Sequence, residues 1–187
     1  MRFYFLLFIT IYWLFLILAP LNARADDKWD FDKLDGGFSY GALAGEVTYG
    51  DKLRFIMRKD HCDTVQHVVT FYTYQKPADI SQLNGQKIPI QINDVSGYEI
   101  KVFMVRPFLM GYQVWFSLGS WPVDTLASAL KELDRYEIKI VDGYGFKAKK
   151  YFDITFNNWK LDDVDNAFQR IKSNCIELSE PKEKLIS

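Results

Sequence analysis

Apolar and polar positions alternate along most of this chain, which is the period of β-strands. Leu53, Phe55 and Met57 share one side of a run whose other side carries Arg54 and Arg58. The stretch 67–75 is apolar on both sides at Val68, Val69, Phe71 and Tyr72, as in a strand that lies centrally or faces a ligand. Ile88, Ile90 and Ile92 alternate with polar residues, and Pro89 demotes that run to an edge strand or an extended segment. Tyr98, Ile100, Val102 and Met104 share a third side, and Tyr112, Val114, Phe116 and Leu118 a fourth. The period becomes helical at Leu126, Ala129, Leu130 and Leu133. It does so again at Val164, Ala167, Phe168, Ile171 and Cys175, with a strand over 136–140 between the two.

The two helical stretches belong to a motif that occurs twice. Residues 121–133 and 159–171 align without a gap: Trp121 falls on Trp159, Val123 on Leu161, Asp124 on Asp162, and Leu126 on Val164. Further on, Ala129 falls on Ala167, Leu130 on Phe168 and Leu133 on Ile171. Each copy follows a strand-like run, 113–118 and 151–156. Trp121 and Trp159 are expected to pack at the strand-to-helix corners. Asp124 and Asp162 are expected to cap the helices, accepting from free amides of the first turn. The predicted fold is therefore α+β: antiparallel strands, sandwich-like, with two helices from a duplicated strand, Trp corner and helix.

The chain ends alter this picture little. Residues 1–25 hold Arg2, a nearly unbroken apolar run from Phe3 to Leu18, Pro20, and Ala23-Arg24-Ala25. That is the pattern of a secretory signal peptide cut before Asp26. One globular domain is expected over 26–178 and a polar tail over 179–187. Loss of residues 1–25 removes two arginines and no acid, so the net charge moves from −1 to −3. A balance so mild, with Lys147, Lys149 and Lys150 as its one basic cluster, argues against a nucleic-acid partner. No membrane span is expected once the signal segment is removed.

An exported chain meets oxidising conditions, and this one carries two cysteines, Cys62 and Cys175. They are expected to form one disulfide. His61, Cys62, Asp63 and His67 lie close in sequence, but a straight strand sets the two histidines about 20 Å apart. A bridged cysteine ligates nothing, so no metal site and no cofactor are expected, and His61 and His67 are expected at the surface, flanking the bridged cysteine. No G-x-S-x-G, phosphate loop, H-E-x-x-H or C-x-x-C occurs. The chemistry legible in the chain thus points away from an enzyme.

Aromatic residues are the surplus that remains, at 17% of the chain. Tyr72, Tyr74, Phe103 and Trp115 fall on strands whose two sides both carry bulky groups. One side must face the core. The other either offers a stacking surface for a glycan, peptide or protein partner or lies under helices.

The run Tyr151-Phe152-Asp153-Ile154-Thr155-Phe156, followed by Trp159 and Ala167-Phe168, resembles the closing strand, apolar corner and helix of the invasion-associated locus B family of bacterial periplasmic proteins. The family's early Trp-x-x-x-Cys segment and mid-chain paired cysteines have no counterpart, so no functional residue is carried over. The resemblance implies a small envelope protein without catalysis. Residues and resemblance together lead to an expected function as an exported, periplasmic binding or accessory protein. The alternatives are an inhibitor or immunity protein against a secreted enzyme or toxin, and a cell-wall or glycan hydrolase whose acids converge only in the fold.

Overall fold

A computed structural model describes residues 29–48 and 50–180. The expected signal segment and most of the expected tail lie outside them. Nine strands appear among the described residues: β1 (Asp30–Leu34), β2 (Phe38–Ala44), β3 (Lys52–Arg58), β4 (His61–Thr73), β5 (Lys87–Ile92), β6 (Val95–Phe108), β7 (Gly111–Pro122), β8 (Arg135–Ile140) and β9 (Phe156–Lys160). Three α-helical segments accompany them: α1 (Val123–Lys131), the single turn α2 (Ala148–Tyr151) and α3 (Val164–Ser179). A 3₁₀ turn spans Ile80–Leu83.

The strands form one antiparallel sheet in the order β1-β2-β3-β4-β7-β6-β5-β8-β9. The expectation of antiparallel α+β is met, but the expected sandwich is replaced by a single curled sheet. The reason is the unbroken ladder: β5 pairs β6 on one side and β8 on the other, so no gap splits the strands into two layers. Pro89 is accordingly inside the sheet and not at its edge. The β5–β8 pairing starts only at Ile90, and Val141 N–H still donates to the Pro89 carbonyl at 3.1 Å, so the missing proline N–H falls just past the last rung.

Curling brings the two ends of the sheet together. The amide of Glu46, in the β2–β3 connection, donates to the Asn158 carbonyl on β9 at 3.0 Å. Asn157 Nδ2 donates to Asp51 Oδ2 at 2.7 Å, and Val47 N–H donates to Asn157 Oδ1 at 3.0 Å. Arg135 Nη1 donates to Glu46 Oε2 at 2.6 Å and to Asn158 Oδ1 at 2.9 Å. The inner face carries the core, with Leu53, Phe55, Val69, Phe71, Val114, Phe116 and Trp159 essentially without exposed surface. Helix α3 lies on that face across β2 and β3, Phe168 meeting Phe55 at 4.6 Å between ring centroids. Cys175 on α3 is bonded to Cys62 at the start of β4.

The duplicated unit does not survive as a structural repeat. Trp121 ends β7 and is 43% exposed, whereas Trp159 lies within β9 and is fully buried against Phe71. The run 151–156 expected as a strand begins as the α2 turn, and the strand starts only at Phe156. Neither aspartate caps its helix through its side chain. Pro122 precedes α1, placing Asp124 inside the first turn, where its charge favours the helix dipole. Asp163, in the left-handed region at φ 58°, precedes α3. Asp162 supplies its carbonyl to Trp29 Nε1 at 2.9 Å, holding the start of the described chain against Phe55.

The β6–β7 hairpin depends on one close approach. A Cβ on Gly111 would collide with the backbone carbonyl of Thr73 on β4. Gly111→Ala is expected to cost about 1–3 kcal/mol, as overpacking does. Urea unfolding should show a lower midpoint with an unchanged slope.

Candidate ligand-binding site

The four aromatics singled out from the sequence lie on neighbouring strands but separate into two pairs. Tyr72 and Tyr74, near the end of β4, meet edge to face at 4.9 Å. Phe103 and Trp115, on β6 and β7, meet at 6.1 Å. Trp115 is half-buried because Arg54 lies over its ring at 4.4 Å and Arg106 at 5.3 Å. Arg54 Nη1 donates to Thr70 Oγ1 at 2.7 Å, and Arg106 donates twice to Gln113 Oε1. Burial pulls the Arg54 guanidinium down to about 10. Side chains of the sheet itself thus cover the middle of this outer face, and Phe103 and Tyr74 stay exposed at its margins.

Two bulges decide which side chains face in. The β6–β7 register shifts between Val102 and Met104, so Val102 points into the core while Met104 lies opposite Trp115. The β4–β7 register shifts between His67 and Val68. There Gly119 adopts φ +107°, a conformation open to glycine, and Leu118 is the extra residue. The strand then swings outward, carrying Trp121 to the point where α1 begins.

That swing leaves a cleft of about 410 Å³ between α1 and the inner side of β5, β6, β7 and β8. The size falls within the range of small-molecule sites, about 300–1,000 Å³. Ile90, Ile92, Leu118, Leu126, Leu130 and Leu133 supply apolar walls. Tyr98 and Trp121, both partly exposed, also border it, and Trp121 Nε1 is tied to the Leu118 carbonyl at 3.1 Å.

His67 and Tyr136 are the buried polar members. The His67 ring sits 5.1 Å from Phe55 and 5.4 Å from Tyr136. It is 3% exposed, and its Nε2 has no hydrogen-bond partner among the described residues. Burial holds the imidazole well below its ordinary value, at about 3, so it is neutral at physiological pH. Burial raises the Tyr136 phenol, with Tyr98 adding to the effect, so that group also stays uncharged. Ser117 and the exposed Glu99 complete the polar lining.

Sequence reasoning placed His67 beside Cys62 as a surface histidine. The correction follows from strand parity: His67 shares the inward face of β4 with Val65, Val69 and Phe71. His61, six positions earlier, is exposed. Alternation with Val65 and Val69 was a usable signal. The cleft itself was not legible, because it depends on the bulge at Leu118 and the placement of α1.

No protein-family model, curated protein or solved structure matches the chain. The fold and site define its class by themselves: an antiparallel α+β domain whose one curled sheet, with a helix, walls an apolar cleft. A disulfide ties the last helix to that sheet, and no helix among the described residues is long and apolar enough to cross a membrane.

Proposed function

We propose that this chain is an exported, non-catalytic binding protein of the bacterial envelope, and that its cleft holds a small, largely apolar ligand. The observation that carries the reading is the cleft itself: mostly apolar walls, neutral buried polar groups and a helix along one side. Such lining favours a ligand through the surface it removes from water, about 25 cal/mol per Å². The disulfide is compatible with export, and the resemblance to the invasion-associated locus B family implies the same compartment. Hydrolysis would call for two facing carboxyl groups, and Glu99 is the one acid on this cleft among the described residues.

Binding of N-phenyl-1-naphthylamine, an uncharged dye that brightens in apolar surroundings, tests the reading. One saturable site is expected. Ala129 lies exposed on the α1 side of the cleft, so Ala129→Trp should fill the space and weaken the dye at least tenfold with an unchanged melting temperature. Absence of saturable binding would overturn the reading.

A second reading, an inhibitor or immunity role, draws on the β6–β7 hairpin tip. Leu109 and Met110 there are 78% and 70% exposed, and apolar residues so presented suit insertion into a partner's pocket.

A further inference from the structure

We infer that the β6–β7 hairpin docks on a lipid surface: Leu109 and Met110 enter a bilayer rich in anionic phospholipid, with Arg106 and Arg54 behind them at the level of the phosphates. The inference goes beyond the cleft and uses none of its residues.

The residues at this turn are not those that a turn favours. Phe108 pairs with Gly111, so Leu109 and Met110 form a two-residue loop. Such loops favour Asn, Asp and Gly, because their central residues take positive φ. The chain follows that rule one hairpin earlier, where Asn93 and Asp94 at φ 45° and 65° join β5 to β6. At β6–β7 it sets a leucine at φ 50°, with a methionine after it, and both side chains stand in water. Two disfavoured choices at one exposed point call for a compensating gain, and removal of the tip from water supplies one.

The surroundings of the tip indicate what removes it. Phe108 and Tyr74 are exposed beside it, each in edge-to-face contact with Tyr72, at 6.2 and 4.9 Å. Rings with one wet and one apolar end suit a membrane interface. Arg106 lies two positions behind Phe108, opposite Gln113, and Trp115 carries both guanidiniums over its ring two positions further back. At about 3.4 Å per residue these rows stand about 7 and 14 Å behind the turn. A tip sunk about 5–10 Å into the headgroup–acyl boundary brings them to the phosphates.

The charge at this end is positive. Arg54 donates to Thr70 Oγ1 and Arg106 to Gln113 Oε1, and no carboxylate pairs with either among the described residues. Asp30, whose charge reaches Arg54, is engaged by Lys52 at 3.7 Å. Asp153, at the end of β4, accepts from Thr73 Oγ1 and the Tyr74 amide, and the exposed Lys76 follows on the same segment. A protein pocket for two apolar side chains would leave the aromatic pair and the arginines unused. An anionic bilayer engages all three.

Co-sedimentation with vesicles tests the inference. Equal parts of phosphatidylglycerol and phosphatidylcholine are expected to bind the exported protein at least tenfold better than phosphatidylcholine alone, less so as salt rises. Leu109→Asn with Met110→Gly restores ordinary turn residues, so it should keep the melting temperature and weaken vesicle binding at least tenfold. Arg106→Gln should weaken binding to the anionic vesicles about fivefold. Bromine-labelled acyl chains should quench the fluorescence of a Leu109→Trp variant more than that of the wild type. Failure to bind anionic vesicles, or binding that survives the turn replacement, would overturn the inference and leave the tip to a protein partner. The dye measurement on the cleft is separate, so the two readings fail independently.

Discussion

Replacing Cys62 and Cys175 together with alanine is expected to lower the free energy of unfolding by about 4–5 kcal/mol in the chain-entropy account. The bridge closes a sequence separation of 113 residues, and loops of that length restrict the unfolded chain strongly. The bond also has a folded-state role. Its α3 end is fully buried, and α3 covers the inner faces of β2 and β3 through Ala167, Phe168 and Ile171. Without the bridge the helix is held by packing, by Ser39 Oγ donating to the Ile171 carbonyl at 2.9 Å, and by the Lys33–Glu177 ion pair at the surface. Guanidinium titrations of wild type and the double variant should therefore differ in midpoint, and the reduced wild type should follow the variant. Thiol labelling of the unfolded, unreduced wild type should find no free cysteine. An unchanged midpoint on reduction would remove the staple from the account.

Acid is expected to act on this protein through two buried groups with opposite signs. Burial raises the Asp51 carboxyl to about 7, against the lowering effect of the bonds from Asn157 and the Tyr72 amide. The folded state therefore keeps a proton that the unfolded chain releases near pH 4. Stability from this group is present below about pH 4 and is lost as pH rises toward 7. His67 runs the other way. Its folded value of about 3 lies below the ordinary 6.5, so its contribution is present above pH 6.5 and is lost as pH falls toward 3. At 1.36 kcal/mol per pKa unit each group is worth about 4–5 kcal/mol across its window.

Between pH 4 and 6.5 the two trends oppose, and the wild type should show a shallow profile there. His67→Phe should uncover the Asp51 trend, becoming less stable from pH 4 to 7. Asp51→Asn should uncover the histidine trend, becoming less stable from pH 6.5 downward. The asparagine also turns an amide toward Asn157 Nδ2, whose own oxygen is held by Val47 N–H and Asn158 N–H, so this variant starts from a lower stability. Melting temperatures measured from pH 3.5 to 7.5 would check both. Parallel profiles for the three proteins would exclude these groups as the titrating pair.

The strand pattern was legible wherever a strand has one face in the core. Leu53, Phe55 and Met57, and then Val114 and Phe116, alternate because their opposite neighbours look outward. The stripe of α3 was legible for the same reason, and it put Cys175 on the buried side where Cys62 meets it. The sequence similarity of 121–133 and 159–171 misled. It reflects a shared demand for apolar residues at helical spacing, which Leu126 and Leu130 meet against the cleft and Phe168 and Ile171 meet against the sheet. Similar spacing does not require a similar place in the fold, and the two tryptophans show the difference.

The local periods, the antiparallel α+β class and the cysteine pairing were all readable from the order of residues, because each follows from short-range alternation or from having two thiols alone. Tertiary structure decided whether the strands formed one sheet or two, since that depends on β5 finding β8 as well as β6. It also decided the inward aim of His67 and the opening beneath α1, which arise where a bulge shifts one strand against the next. A one-residue shift in pairing moves side chains between faces without any change in composition, so the cleft appears only once the strands are in register.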